Sequence, residues 1–307
     1  MNHKILIIGG PTASGKTQIS FNIAEKVNGE IISCDSRQFY KEINIGTDKP
    51  SLLMREKIPH YFIDFLSLKE DFDVYQYSSM VFEKVKEIIS KEKVPMIVGG
   101  SGFYIRVLLN GIFSLSPELK SRQKEIRERL EKIPTDDLYQ RLKEIDPIIA
   151  QKIHPNDRYR IKRAIEIYEL TGKNMTYWRS QKSEKTLKDL GKILYFILMR
   201  DRKEIYQRIE ERIKKMFENG WIEEVKKLKE ESFEKYLNIK APIGYNEILE
   251  FLDNKIGFEE LKKIIIKRTK EYARKQFIWF KKEKGIFINF SNEQEAVEKI
   301  LKIYKNA

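Results

Sequence analysis

Sulfur and imidazole are nearly missing from this chain. A single cysteine, Cys34, excludes an internal disulfide, and the three histidines, His3, His60 and His154, are too scattered to give zinc-site spacing. No apolar run approaches the roughly twenty residues that a membrane-spanning helix needs. The first apolar run, Lys4-Ile5-Leu6-Ile7-Ile8, reads as a strand and not as a signal sequence, so a cytoplasmic protein without a membrane partner is expected. Internal repeats and low-complexity tracts are also lacking. Acidic residues are outnumbered: 46 Asp and Glu face 59 Lys and Arg, for a net charge of +13. Such an excess favours a polyanionic partner such as nucleic acid, with a merely solubilising surface as the alternative.

What is present is enough for a sizeable core. The 307 residues exceed the usual single domain, and 41% hydrophobic with 34% charged composition fits a folded chain with a highly charged surface. Immediately after the first apolar run comes Gly10-Pro11-Thr12-Ala13-Ser14-Gly15-Lys16-Thr17, a G-x-x-x-x-G-K-[ST] phosphate loop. Ile19, Ile23 and Val27 then recur at helical spacing, so the order is strand, glycine-rich turn, helix. In that context the loop N–H groups and the helix N-terminus point at an anion, and Lys16 adds a full charge. Thr17 is placed to put its hydroxyl on a phosphate-bound Mg²⁺. A turn that is glycine-rich for its bend alone is the competing reading.

Further strands are expected at Glu30–Ser33, Pro95–Val98 and Ile193–Leu198, the first two followed by Asp35-Ser36-Arg37-Gln38 and Gly99-Gly100-Ser101-Gly102. Ligands of open α/β sheets bind outside the carboxyl ends of strands, which sets Asp35 on the rim of the phosphate loop, either for chemistry or as a helix cap or metal support. The second glycine turn is the opposite wall of the same pocket. Asp64, after Tyr61-Phe62-Ile63, is read as a turn residue. From about Ser114 to 192 the chain is charged helix punctuated by proline, which marks a helical insertion into a core of 1–113 and 193–307. Within it, Arg158, Arg160, Lys162 and Arg163 surround Tyr159, a mixture suited to an RNA backbone and an unstacked base, or else a solvated helix face. Arg208 and Arg212 stand one turn apart and could face one anion, unless Glu204 or Glu211 takes them. Lys262 to Lys284 holds ten Lys/Arg against two Glu, with Ile266, Thr269, Tyr272 and Phe277 expected on the core side and Lys263, Lys267, Lys270 and Arg274 on another.

Taken together, these motifs resemble the tRNA dimethylallyltransferase family. The resemblance is carried by Gly10 to Thr17, Asp35 to Gln38 with Tyr40, Ile45-Gly46-Thr47-Asp48-Lys49-Pro50, Gly99 to Tyr104 and His154 to Asp157 with Arg160 and Arg163. The arginine helix, Ile243-Gly244-Tyr245 and Arg274 to Phe280 complete it, in the family's order over nearly the whole chain. Ser101 stands where the family often has threonine, the neighbourhood of Tyr61 lacks a second histidine, and no zinc-finger extension is present. The resemblance implies an α/β fold, a P-loop NTPase-like parallel sheet wound with helices plus a helical tRNA-binding insertion, and a monomer. It implies transfer of a dimethylallyl group from dimethylallyl diphosphate to N6 of the adenosine 3′ to the anticodon, with Mg²⁺ as cofactor. By resemblance Asp35 is the general base, and residues 10–17 with Arg212 hold the leaving diphosphate, Thr12 donating near the breaking bond. Asp35, Ser36, Arg37, Gln38 and Ser101 then line the channel for the flipped base, while Arg127, Tyr159, Arg160, Ile161, Lys162 and Arg163 hold the anticodon stem-loop of the tRNA. Two other readings use the same residues: an ATP-dependent small-molecule or nucleoside kinase, which leaves the basic insertion idle, and a non-catalytic RNA-binding module, which leaves the loop idle.

Overall fold

Alternation of apolar residues along the first strand decides the layering. In the computed structural model, which describes residues 3–113, 117–181 and 185–307, Ile5 and Ile7 of β1 (Lys4–Gly9) enter one core and Leu6 and Ile8 enter another on the opposite face. β1 is central in a six-stranded sheet with β2 (Gly29–Ser33), β3 (His60–Tyr61), β4 (Val94–Gly99), β5 (Lys192–Met199) and β6 (Ile286–Asn289). The order is β3-β2-β4-β1-β5-β6 and every pairing is parallel. Register pairs Gly9 with Gly99 and with Ile197, and Ser33 with Val98, so the strands end together on one edge of the sheet.

The chain divides into two compact units, 1–109 with 186–307, and 110–185. In the first, the leading helices are α1 (Lys16–Val27), α2 (Leu52–Lys57), α3 (Val74–Ser90) and α4 (Gly102–Asn110). α3 starts from a capping box in which Asp73 accepts from Gln76 N and Gln76 accepts from Asp73 N, and it buries Tyr77, Val81, Val85 and Ile88. The second unit consists of α5 (Pro117–Glu131), α6 (Thr135–Ile145), α7 (Pro147–Ala150), α8 (Arg158–Thr171) and α9 (Met175–Ser180) around its own core of Leu130, Leu138, Leu142, Ile161 and Ile165. Buried Asp146 caps α7 at Ile149 N and accepts two bonds from Thr176. Back in the first unit follow α10 (Arg202–Glu218), α11 (Trp221–Glu230), α12 (Glu234–Lys240), α13 (Tyr245–Leu252), α14 (Phe258–Phe280) and α15 (Glu293–Asn306).

The seams differ from the expected 114 and 192. Ser114 itself lies outside the described residues, but Phe113 already stacks on Trp178, with ring centroids 3.7 Å apart, and so belongs with the insertion. At the other end Leu187 is already buried in the sheet's core, ahead of the strand that apolar patterning made visible. The face of α14 is also corrected. Leu261, Ile265, Thr269, Ala273, Gln276 and Phe280 are its buried positions, while Tyr272 is 45% exposed. Ile266 and Phe277 only border the core, whereas Thr269 is buried as expected. No helix among the described residues is long and apolar enough to cross a membrane.

Close strand packing fixes Gly99. A methyl group there would lie 2.0 Å from the carbonyl oxygen of Cys34, backbone that has no room to yield. Gly99→Ala should therefore destabilise the fold by about 3 kcal/mol, as overpacking does at its upper range, measured as a lowered urea midpoint; an unchanged midpoint would contradict this packing.

Candidate active site

The phosphate loop follows β1 and is held open by its own backbone. Gly10 and Gly15 have φ of 152° and 88°, and a Cβ at Gly15 would come within 2.9 Å of Glu293 Oε1. Ala13 also adopts a left-handed conformation, at φ 60°, and its carbonyl accepts from Arg208 Nε at 3.0 Å. Arg208 is tied in turn to Glu293 at 3.1 Å, so it supports the loop from behind. Lys16 folds back over the loop, its Nζ donating to Gly10 O at 3.0 Å and Pro11 O at 2.8 Å. Ser14 is fully buried with a hydroxyl that finds no partner among the described residues. Thr17 lies in the first turn of α1, and Thr12 is partly exposed beside it.

Around the Lys16 ammonium stand Asp35, Arg212 and Asp48. Burial of the ammonium lowers its pKa to about 8; Asp35 and Asp48 oppose that shift and Arg212 adds to it. Arg212 NH1 pairs with Asp48 Oδ2 at 3.1 Å, and neither Glu204 nor Glu211 takes it. Thus the two arginines do not converge on one anion: Arg212 faces Lys16, and Arg208 braces Ala13. Asp35 follows β2. Its Oδ1 accepts from Arg37 N at 3.0 Å, which turns the chain at once, while Oδ2 has no protein partner among the described residues. The second glycine turn closes the opposite side. Ser101 Oγ accepts from Ser36 N at 3.3 Å, and Ser101 N donates to Cys34 O at 3.3 Å, so the ends of β2 and β4 are knitted together. Cys34 itself is buried, its thiol pushed up to about 12 by that burial.

Gln276, on α14, joins the two walls. Its Oε1 accepts from Thr12 N at 2.8 Å and its Nε2 donates to Gly100 O at 2.9 Å and to Tyr272 Oη at 3.2 Å. One loop N–H expected to face an anion is therefore taken by protein. Sequence reading missed this role because the partners are 264 positions apart. The Tyr272 ring is exposed, but its hydroxyl is enclosed; burial first, then the charge of Asp35, raises it to about 12.

Two expected channel residues are spoken for. Arg37 NH1 donates to Lys240 O. Gln38 accepts from Ser33 Oγ and donates to Thr47 O and Asp48 O, so it supports the loop carrying Asp48. Asp64, at φ 56°, is a structural turn that pairs with Lys49 at 2.5 Å and Arg55 at 2.6 Å.

Within the insertion, the basic run on α8 is sorted by its partners. Arg158 turns inward, donating to Ile133 O, Thr135 Oγ1 and Glu131 O, and so closes the end of α5. Ile161, expected at the tRNA, has its side chain fully buried in the insertion's core, one turn from Ala164 and Ile165, so only its backbone is left to face a partner. Arg127 and Arg163 share buried Glu166, and Lys162 pairs with Glu131. Tyr159 is 77% exposed, and the Arg160 and Arg127 side chains are 65% and 58% exposed. Among the described residues no cluster of three or more His, Cys, Asp or Glu is arranged to hold a metal ion.

The Lys16 geometry has a pH consequence. An anion favours the ammonium, so it binds the protonated form and pulls the depressed pKa back up. Affinity for inorganic diphosphate is then greatest below pH 8 and falls towards tenfold per unit above it. Lys16→Met should bind weakly at all pH and lose this fall, the ligand's own ionisation being common to both proteins; parallel titration curves would overturn the assignment.

The family model for IPP transferase matches residues 38–283. The chain is 39% identical over 307 residues to the tRNA dimethylallyltransferase of Thermotoga neapolitana, covering 99% of each chain. It is 42% identical to that of a Sulfurihydrogenibium species over 277 residues, covering 90% of this chain and 88% of the relative. Among solved structures, the tRNA isopentenylpyrophosphate transferase of Staphylococcus epidermidis superposes with a TM-score of 0.69 at 32% identity, over 99% of this chain and 100% of that one. A eukaryotic dimethylallyltransferase acting on tRNA gives a TM-score of 0.84 at 28% identity, over 99% of this chain and 79% of that one.

Proposed function

The chain belongs to the IPP transferase family, enzymes of prenyl transfer, and from that premise we propose that it transfers a dimethylallyl group from its diphosphate to N6 of the tRNA adenosine 3′ to the anticodon. The observation that carries this reading is the convergence of Lys16, Arg212 and Asp35 at the carboxyl edge of β1 and β2. Two cations suit a leaving diphosphate, and one carboxylate suits the nucleophile. Neither the kinase nor the non-catalytic module is favoured by the relatives.

The adenine N6 is a weak nucleophile because its lone pair is delocalised into the ring. As its bond to the allylic C1 forms, an N6 proton must leave, and the unpartnered Oδ2 of Asp35 accepts it. The C1–O bond breaks, and its electron pair leaves on the diphosphate. Lys16, Arg212, the N-terminal turn of α1 and the Thr12 hydroxyl meet the charge that develops there. Rigid placement matters as much as charge: Gln276 holds Thr12 against the Gly100 wall, and Ser101 holds Ser36 beside Asp35. For Mg²⁺, the protein's donor set is sparse. Thr17 supplies one hard oxygen, which fits an ion bound chiefly through phosphate oxygens and water. Bound there, Mg²⁺ would neutralise diphosphate charge. The exposed Tyr159, Arg160 and Arg127 of the insertion are the groups offered to the anticodon stem-loop.

Purified protein with Mg²⁺, labelled dimethylallyl diphosphate and unmodified tRNA should yield prenylated tRNA; phosphoryl transfer from ATP without prenylation would overturn the reading. Asp35→Asn should lower the transfer rate by about 100-fold or more, with tRNA binding changed little; near-normal turnover would remove the base. Replacing Arg127 and Arg160 together with alanine should weaken tRNA binding and reduce the slope of log affinity on log salt by about 1.5, and an unchanged slope would make these arginines a solvated face.

A further inference from the structure

An acid stands where an anion is to bind. Asp48 is the one carboxylate paired with Arg212 among the described residues, at 3.1 Å, and its loop is built so that it cannot swing away. The turn Ile45–Thr47 ends at Asp48, which adopts a left-handed conformation of φ 54°. Glu224 Oε2 accepts from Asn44 N at 3.2 Å and from Ile45 N at 3.1 Å. Tyr245 Oη accepts from Gly46 N at 3.2 Å and donates to Glu224 Oε1 at 2.6 Å. On the far side Lys49, 7% exposed, donates to Tyr40 O, Ile43 O, Asn44 Oδ1 and Asp64 Oδ1. Gln38 Nε2 holds the Thr47 and Asp48 carbonyls. The Asp48 carboxylate itself is 55% exposed, so it is not there to fill the core. Arg212 is 23% exposed and its buried Nε has no partner among the described residues, which leaves the guanidinium incompletely satisfied by Asp48.

We infer that Asp48 is a fixed counter-anion for Arg212 that competes with diphosphate and biases the site against the reaction's product. The inference rests on the proposed function, in which Arg212 holds the leaving diphosphate. Cleavage of the C1–O bond converts a phosphate ester oxygen into an ionisable one, so free diphosphate can carry one more negative charge than the substrate. A stationary carboxylate beside the site repels the product more than the substrate. Arg212, released from the departing anion, returns to Asp48. The pair therefore positions the arginine before the substrate arrives and eases the product out afterwards. Asp48 is a positioning and discriminating residue; it need not touch the allyl group or the adenine.

The test is a double-mutant cycle read by binding. Inorganic diphosphate, and separately dimethylallyl diphosphate in the absence of tRNA, are titrated into wild type, Asp48→Asn, Arg212→Ala and the double variant, with Lys16→Met as control. Asparagine accepts the left-handed backbone of this position, so the fold should tolerate the change. Asp48→Asn should tighten inorganic diphosphate by about two- to fivefold, the scale of a partly exposed ion pair. Dimethylallyl diphosphate should tighten less. In steady state the product inhibition constant should fall by more than KM. In the Arg212→Ala background the part of the gain that comes from freeing the arginine should be lost, leaving only the smaller gain from direct repulsion. No tightening, equal tightening of both ligands, or a gain as large without Arg212 as with it would overturn the inference. Diphosphate binding indifferent to Lys16→Met would instead remove the site on which it stands.

Discussion

Parallel pairing of β1 between β4 and β5 is the constraint on which the site depends. Because all strands run the same way, the loop after β1, the turn after β2 and the glycine turn after β4 emerge on one edge. Three segments far apart in sequence thereby supply a cation, a carboxylate and a close backbone wall. Helices on both faces make this arrangement rigid, since every strand residue of β1 past Lys4 is buried. Desolvation of the Lys16 ammonium where it folds back over the loop drives that group away from its ordinary pKa.

The phosphate loop is braced by residues to which the proposed reaction assigns no chemistry. Arg208 and Glu293 stand behind Ala13, Gln276 joins Thr12 to Gly100, and Gln38 supports the Asp48 loop. Polar side chains at such places cost desolvation unless satisfied. Here each is satisfied by backbone or by an opposite charge, so each converts a flexible turn into a fixed one. In the proposed reaction the arrangement separates two jobs: Lys16, Arg212 and Asp35 are the groups offered to the reactants, while their neighbours keep them in place.

Much of this was legible from sequence because the central strands are uninterrupted apolar runs and the loop motif follows the first of them. Asp35 could be placed on the rim from strand direction alone. The two edge strands could not. His60–Tyr61 is only two residues long, and Ile286–Asn289, although apolar at Ile286, Phe287 and Ile288, is short and mostly exposed, so neither stands out as a strand among the surrounding charged helices. The α14 face was misread because Ile264, Ile265 and Ile266 are contiguous and leave the helical phase open, and because buried Thr269, Ala273 and Gln276 carry little apolar contrast. Nor could the sequence separate Arg160, which stays outward, from Arg158, which turns in to cap a neighbouring helix. Such sorting is decided by partners brought near only by folding. Lys49 is the sharpest case: a lysine in a loop bracketed by Gly46 and Pro50 is consumed by four internal acceptors.

The reach of these braces also bears on how the protein is made. β1 leaves the ribosome before its partner β5, which begins at Lys192, and Ala13 gains its support from Arg208 and Glu293 later still. Long-range pairing of this kind is slow to form because the intervening chain must be closed first. The geometry of the loop consequently depends on residues made long after the motif itself. A nascent chain stalled before α15 holds the complete loop motif, but without Glu293 it lacks the brace that fixes Arg208 behind it.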